Sequence, residues 1–104
     1  MRQISYTNPG YGLYDVPDPA LEKDDDILVR VAYAGICGSD LNIIRGYENE
    51  SMGLPENTKT PLGHEASGYV EEVGPRATTK GLKRGDKVAL YYNEYCNKCH
   101  FCRS

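Results

Sequence analysis

No stretch of these 104 residues stays apolar over the roughly 20 positions a membrane-spanning helix needs. The opening Met1-Arg2-Gln3-Ile4-Ser5 leads into no apolar core of a secretory signal. The expectation is therefore a cytoplasmic chain with no membrane partner. Excess basic charge is also missing: 12 Lys and Arg face 15 Asp and Glu, for a net charge of −3. That excludes the cationic surface a nucleic-acid partner or an anionic membrane requires. There is no internal repeat and no low-complexity tract, and the length admits one small domain, residues 1–104. A Gly-x-Gly-x-x-Gly turn is absent as well. Gly10-Tyr11-Gly12 runs on into Leu13-Tyr14-Asp15 with no third glycine in register, so no residue is assigned to cofactor binding and a Rossmann unit is not expected within the chain.

What is present reads as mainly β. Val-, Ile- and Tyr-rich segments are separated by turn residues, as in a small barrel or sandwich. Gly10-Tyr11-Gly12 after Asn8-Pro9 reads as a turn, Pro17 and Pro19 mark a loop, and Lys23-Asp24-Asp25-Asp26 reads as a solvated charged turn. Ile27–Tyr33 is the clearest strand, with Ile27, Val29, Val31 and Tyr33 on one face. A short helix opens at Gly38-Ser39-Asp40, capped by Ser39 or Asp40, with Leu41 and Ile44 on one face and Gly46 at its end. Residues 48–61 read as a surface loop. Ala66–Val73 reads as a strand with a bulge near Glu71-Glu72. Beyond the turn at Lys83-Arg84-Gly85-Asp86, Val88, Leu90 and Tyr92 alternate along a last strand.

Four cysteines in a reducing compartment point to metal or catalysis before disulfides; two disulfides would allow three pairings. Cys37 lies between a strand and the first turn of a helix, where free amides and the helix dipole favour a thiolate. His64 follows Gly63, which permits close backbone approach. A metal-bound histidine donates its second ring N–H to a carboxylate, and Asp40 and Glu65 are both candidates. Taken singly, a cysteine at a strand end is a small buried hydrophobe and a histidine a hydrogen-bonded structural residue.

The surrounding motifs carry more. Gly35-Ile36-Cys37-Gly38-Ser39-Asp40 and Gly63-His64-Glu65-Ala66-Ser67-Gly68, followed by Gly74 and Ala77, resemble the zinc-cysteine and zinc-histidine segments of the zinc-dependent medium-chain alcohol dehydrogenases. The 27-residue separation of Cys37 and His64 fits that family. The resemblance implies a GroES-like, partly open β-barrel with one or two short helices. It implies Cys37 and His64 as ligands of a catalytic zinc, with Glu65 as an alternative ligand or a neighbour of the metal. Ser39 would be the hydroxyl that relays the substrate proton, and Asp40 the carboxylate that orients His64. The family's histidine three residues beyond the relay hydroxyl is replaced by Asn42, which cannot act as a base.

Cys96-Asn97-Lys98-Cys99-His100-Phe101-Cys102 spaces three thiols at intervals of three, as inward-pointing metal ligands require. It resembles the structural-zinc lobe of the same family, starting at about residue 92. The fourth cysteine of that lobe is missing, and His100 in the same tight turn is a weak substitute. A nucleic-acid zinc ribbon needs a second paired cluster, and none is present. By resemblance the chain is the truncated amino-terminal catalytic domain of an NAD- or NADP-dependent alcohol or polyol dehydrogenase. It would be inactive alone and self-associating, its small alcohol substrate bound only in the full-length protein. The alternative is a stand-alone zinc-binding or interaction module with the same barrel and no enzymatic activity.

Overall fold

The computed structural model describes residues 1–7, 10–45, 59–77, 81–93, 95–96 and 98–103. Among the described residues, six strands form two antiparallel three-stranded sheets. The first holds β1 (Arg2–Tyr6), β2 (Tyr11–Asp15) and β4 (Thr60–Pro61), in the order β2-β1-β4. The second holds β3 (Ile27–Gly35), β5 (Glu65–Val73) and β6 (Lys87–Ala89), in the order β3-β5-β6. The described residues also form two short helices, α1 (Gly38–Arg45) and α2 (His100–Arg103). Ser5, Tyr6, Asp40, Ile43, Val70 and Ala77 are buried. Among the described residues no helix is long and apolar enough to cross a membrane.

The β1–β2 hairpin corrects the reading of Gly10–Gly12 as a turn. Tyr11 and Gly12 already pair with Tyr6 and Ser5, and only Gly10, at a φ of 99°, belongs to the turn, where its carbonyl accepts the Thr7 amide at 2.8 Å. Asn8 and Pro9 lie outside the described residues. Residues 46–58, including Gly46 and most of the expected 48–61 loop, also lie outside them, but Thr60–Pro61 is a strand. Proline is tolerated there because β4 lies at the edge of its sheet.

The expected bulge on β5 is present. Leu28 faces Glu72 while Val29 faces Val70, so Glu71 is the extra residue. A second bulge was not legible: Val31 faces Gly68 and Tyr33 faces Ser67, leaving Ala32 unpaired in register. It breaks the alternation expected along β3, and Val31 and Tyr33 are exposed rather than core residues. The strand expected through Tyr92 is shorter, ending at Ala89. The Leu90 amide still reaches the Ala66 carbonyl at 2.8 Å, after which the chain leaves the sheet.

Two turns pin this second sheet. Asp24–Asp26 is more than a solvated charged turn. The Asp26 carboxylate accepts the Glu22 and Lys23 amides, while the Asp24 and Asp26 carbonyls accept the amides of Arg76 and Gly74. At the turn of residues 83–86, the Lys83 ammonium and amide hold the Asp86 carboxyl below the usual carboxylate range. The Asp86 carbonyl and the Gly85 amide bond to Val70. Close approach accounts for Gly68: a Cβ there would run into the Arg30 carbonyl oxygen and lie 2.9 Å from its carbon. Gly68→Ala should therefore cost about 1–3 kcal/mol through overpacking. It would appear as a lower urea midpoint at unchanged slope; a midpoint equal to the parent's would refute the close packing.

Candidate metal and catalytic site

The site forms where β3 hands over to α1 and where the chain enters β5. Cys37 is the residue before the helix, and its carbonyl accepts the Asp40 amide at 3.1 Å. The Asp40 carboxylate returns the bond, its Oδ2 accepting the Cys37 amide at 2.8 Å. Asp40 thus caps the free Cys37 amide at the helix start, as expected of Ser39 or Asp40, in the manner of the N3 half of a capping box. Leu41 and Ile44 share a face, as expected, but they line an apolar groove of about 300 Å³, and the core residue of the helix is Ile43.

Asp40 also reaches across the fold. Its Oδ1 accepts the Gly63 amide at 3.2 Å and lies 3.5 Å from His64 Nδ1. Gly63 has a φ of 86°, a conformation a side chain strains, so the turn that presents His64 depends on glycine. On the other side of the imidazole, Ser39 Oγ is 3.4 Å from Nε2. Glu65 begins β5 opposite Gly35. A Cβ on Gly35 would lie 3.2 Å from the Glu65 carboxylate oxygen, so glycine there leaves that carboxylate room.

The result is a half-buried cluster in which one ligand atom each from Cys37, His64 and Glu65 lies within 4.8 Å of the others. A thiolate, an imidazole and a carboxylate at the scale of two metal–ligand bonds form the mixed S, N, O donor set that zinc accepts. Of the two carboxylates considered for the histidine, Asp40 faces the ring nitrogen and Glu65 falls in the donor cluster. One neighbour was not legible in the sequence: the Tyr92 ring meets His64 edge to face, with centroids 5.5 Å apart. No spacing signal links residues 92 and 64; only the path of the chain after β6 does.

The three remaining thiols form a second, separate cluster. Cys102 Sγ lies 3.5 Å from Cys96 Sγ and 3.4 Å from Cys99 Sγ. Tetrahedral zinc thiolates have sulfur–sulfur edges of about 3.8 Å, so the spacing suits a metal. The cluster ends in α2, a short helix the sequence reading did not include. His100 on α2 stacks edge-on against Phe101 and is not in the donor group. Cys96 is pulled down to about 6 by the backbone amides of Lys98 and Cys99, then by the neighbouring thiols. Tyr95 is raised above the ordinary phenol range, first by desolvation and then by a hydrogen bond with Tyr91.

Comparison with known proteins places the chain in a family. Residues 23–104 match the alcohol dehydrogenase GroES-like domain. The zinc-type alcohol dehydrogenase-like protein AdhB of Bacillus subtilis (strain 168) is 43% identical over 91 residues, covering 86% of this chain and 22% of that protein. The D-arabitol-phosphate dehydrogenase of Enterococcus avium is 38% identical over 107 residues, covering 99% of the chain and 28% of its own length. Among solved structures, the zinc-dependent alcohol dehydrogenase 2 of Streptococcus pneumonia superposes with a TM-score of 0.80 at 36% identity, covering 99% of this chain and 28% of that one. The mainly β architecture, with its two open sheets and short helices, is thus of the GroES-like type. The chain belongs to the alcohol dehydrogenase GroES-like domain family, and it spans about a quarter of the length of these relatives.

Two measurements check this geometry. Asp40→Ala leaves the Cys37 and Gly63 amides without their acceptor and should cost about 1–3 kcal/mol for each group left buried and unsatisfied. Asp40→Asn, which keeps one acceptor oxygen, should cost less; urea unfolding of the three proteins compares them. In the metal-stripped chain, alkylation of Cys96 followed by peptide mass spectrometry should reach half its limiting rate near pH 6. Its thiolate predominates above that pH, whereas an unperturbed thiol titrates near about 8.5.

Proposed function

We propose that this chain provides the metal-holding, substrate-facing part of a zinc-dependent alcohol or polyol dehydrogenase. The observation that carries the reading is the convergence of Cys37, His64 and Glu65 within 4.8 Å at a turn organised by the buried Asp40. Cys37 and His64 would hold the zinc, with Glu65 as a third donor within this chain. Bound there, zinc supplies Lewis acidity that lowers the pKa of a substrate hydroxyl.

The chain's own residues do the rest. Asp40 faces the imidazole at Nδ1 and leaves Nε2 for the metal side. Ser39, 3.4 Å from Nε2, is placed to accept the proton of an approaching alcohol and pass it on. Asn42 follows on the same helix and cannot serve as an outer base, so any outer relay would use water or another group. The hydride acceptor is NAD or NADP, bound by a longer protein of this type rather than by these 104 residues, which alone should be inactive. Cys96, Cys99 and Cys102 would hold a second, structural zinc. We also propose that the chain self-associates, since Ile4, Tyr11, Leu13, Tyr33 and Ile36 are all more than half exposed.

Cobalt(II) binding to the intact chain tests the ligand set, because cobalt reports sulfur and nitrogen donors in its visible spectrum. Cys37→Ser and His64→Ala should each abolish one of two spectral components and weaken that site by more than about tenfold. Glu65→Gln should shift the same component, and Cys99→Ser should remove only the other. Retention of both components in Cys37→Ser and His64→Ala would overturn the reading.

A further inference from the structure

The ring nitrogens of His64 make two weak contacts. Asp40 Oδ1 stands 3.5 Å from Nδ1 and Ser39 Oγ 3.4 Å from Nε2, both longer than the 2.7–3.2 Å of a well-formed hydrogen bond. Two contacts this long at the ring nitrogens leave the imidazole loosely held about its Cβ–Cγ bond. The side chain of His64 is also one-third exposed, so the core does not lock it.

The third contact is the Tyr92 ring, edge to face at 5.5 Å and 61°. Tyr92 does not stand alone. Its ring stacks on Tyr91 at 5.1 Å and 28°, and Tyr91 stacks on Tyr95 at 5.7 Å and 11°. All three rings are more than half exposed, so burial does not account for their order. The far end of the stack is one residue from Cys96, whose sulfur meets Cys102 at 3.5 Å. The described rings therefore run without a break from the thiol cluster to the imidazole.

We infer that Tyr92 is a positioning residue for His64, and that Tyr91 and Tyr95 form a strut that ties the orientation of that imidazole to the thiol cluster. Tyr92 blocks the rotation that Asp40 and Ser39 leave open. Tyr91 backs Tyr92, and Tyr95 is fixed by the chain segment that carries the thiols. The contact uses ring faces and edges, so the Tyr92 hydroxyl is dispensable and the ring is not. For metal binding the inference rests on His64 being a ligand; for ring orientation it does not.

The test has a metal-free arm and a metal arm, both on the intact chain. In the metal-free chain, the Hδ2 and Hε1 resonances of His64 should be unchanged in Tyr92→Phe and displaced in Tyr92→Leu. Tyr91→Ala should displace them without touching His64 directly, while the cross-strand amide pattern of β3 and β5 stays as in the parent. With cobalt(II), affinity at the Cys37–His64 site should fall about tenfold in Tyr92→Leu and not in Tyr92→Phe, as on loss of a group that orients a ligand. Unchanged His64 resonances in Tyr92→Leu would overturn the positioning role, and unchanged resonances in Tyr91→Ala would overturn the strut. Displaced resonances with cobalt binding that also ignores Cys37→Ser would leave the positioning role standing and instead remove the ligand reading.

Discussion

The buried carboxylate of Asp40 joins two segments of backbone, the start of α1 and the turn at Gly63-His64, that lie more than 20 residues apart in the chain. One oxygen takes the Cys37 amide at the helix start; the other takes the Gly63 amide and faces His64 Nδ1. A buried carboxylate is tolerated only when hydrogen bonds replace its lost hydration, and here the partners are the two residues that bring the sulfur and the imidazole together. The same contacts that make the buried charge tolerable therefore set the geometry of the Cys37–His64–Glu65 cluster. Gly63 at positive φ and Gly35 facing Glu65 are the backbone conditions for it.

Around that hub the second sheet acts as a rigid frame. Gly68 lets β3 and β5 approach closely, Gly74 lets the 24–26 turn grip the following corner, and the bulges at Glu71 and Ala32 adjust the register so that Gly35 and Glu65 end opposite each other. A site built at the ends of two paired strands inherits their precision. The thiol cluster is organised differently. It is local in sequence, its sulfurs brought together by one turn and the four-residue α2, and the stack of Tyr95, Tyr91 and Tyr92 links it to the frame.

Local features were legible in the residue pattern because local forces decide them. The helix at Gly38, the β5 bulge, the turn at Lys83–Asp86 and the clustering of Cys96, Cys99 and Cys102 all follow from spacing within a few residues. The β1–β2 hairpin was misread because Gly10-Tyr11-Gly12 has a turn composition, and pairing with Ser5 and Tyr6 overrides it. Thr60–Pro61 was misread for the same reason, since a proline-ended dipeptide becomes a strand only when a partner is present.

The sequence alone determined which atoms are available: one sulfur, one imidazole, two carboxylates and two hydroxyls in two motifs, and three thiols in a third. Side-chain chemistry belongs to the residue and needs no fold. Only the tertiary structure decided that Asp40 faces the histidine while Glu65 joins the donor cluster, and that Tyr92 closes over the ring. Those assignments depend on which strand ends meet across the sheet. Pairing of segments some 30 residues apart is governed by long-range packing, which no local pattern encodes.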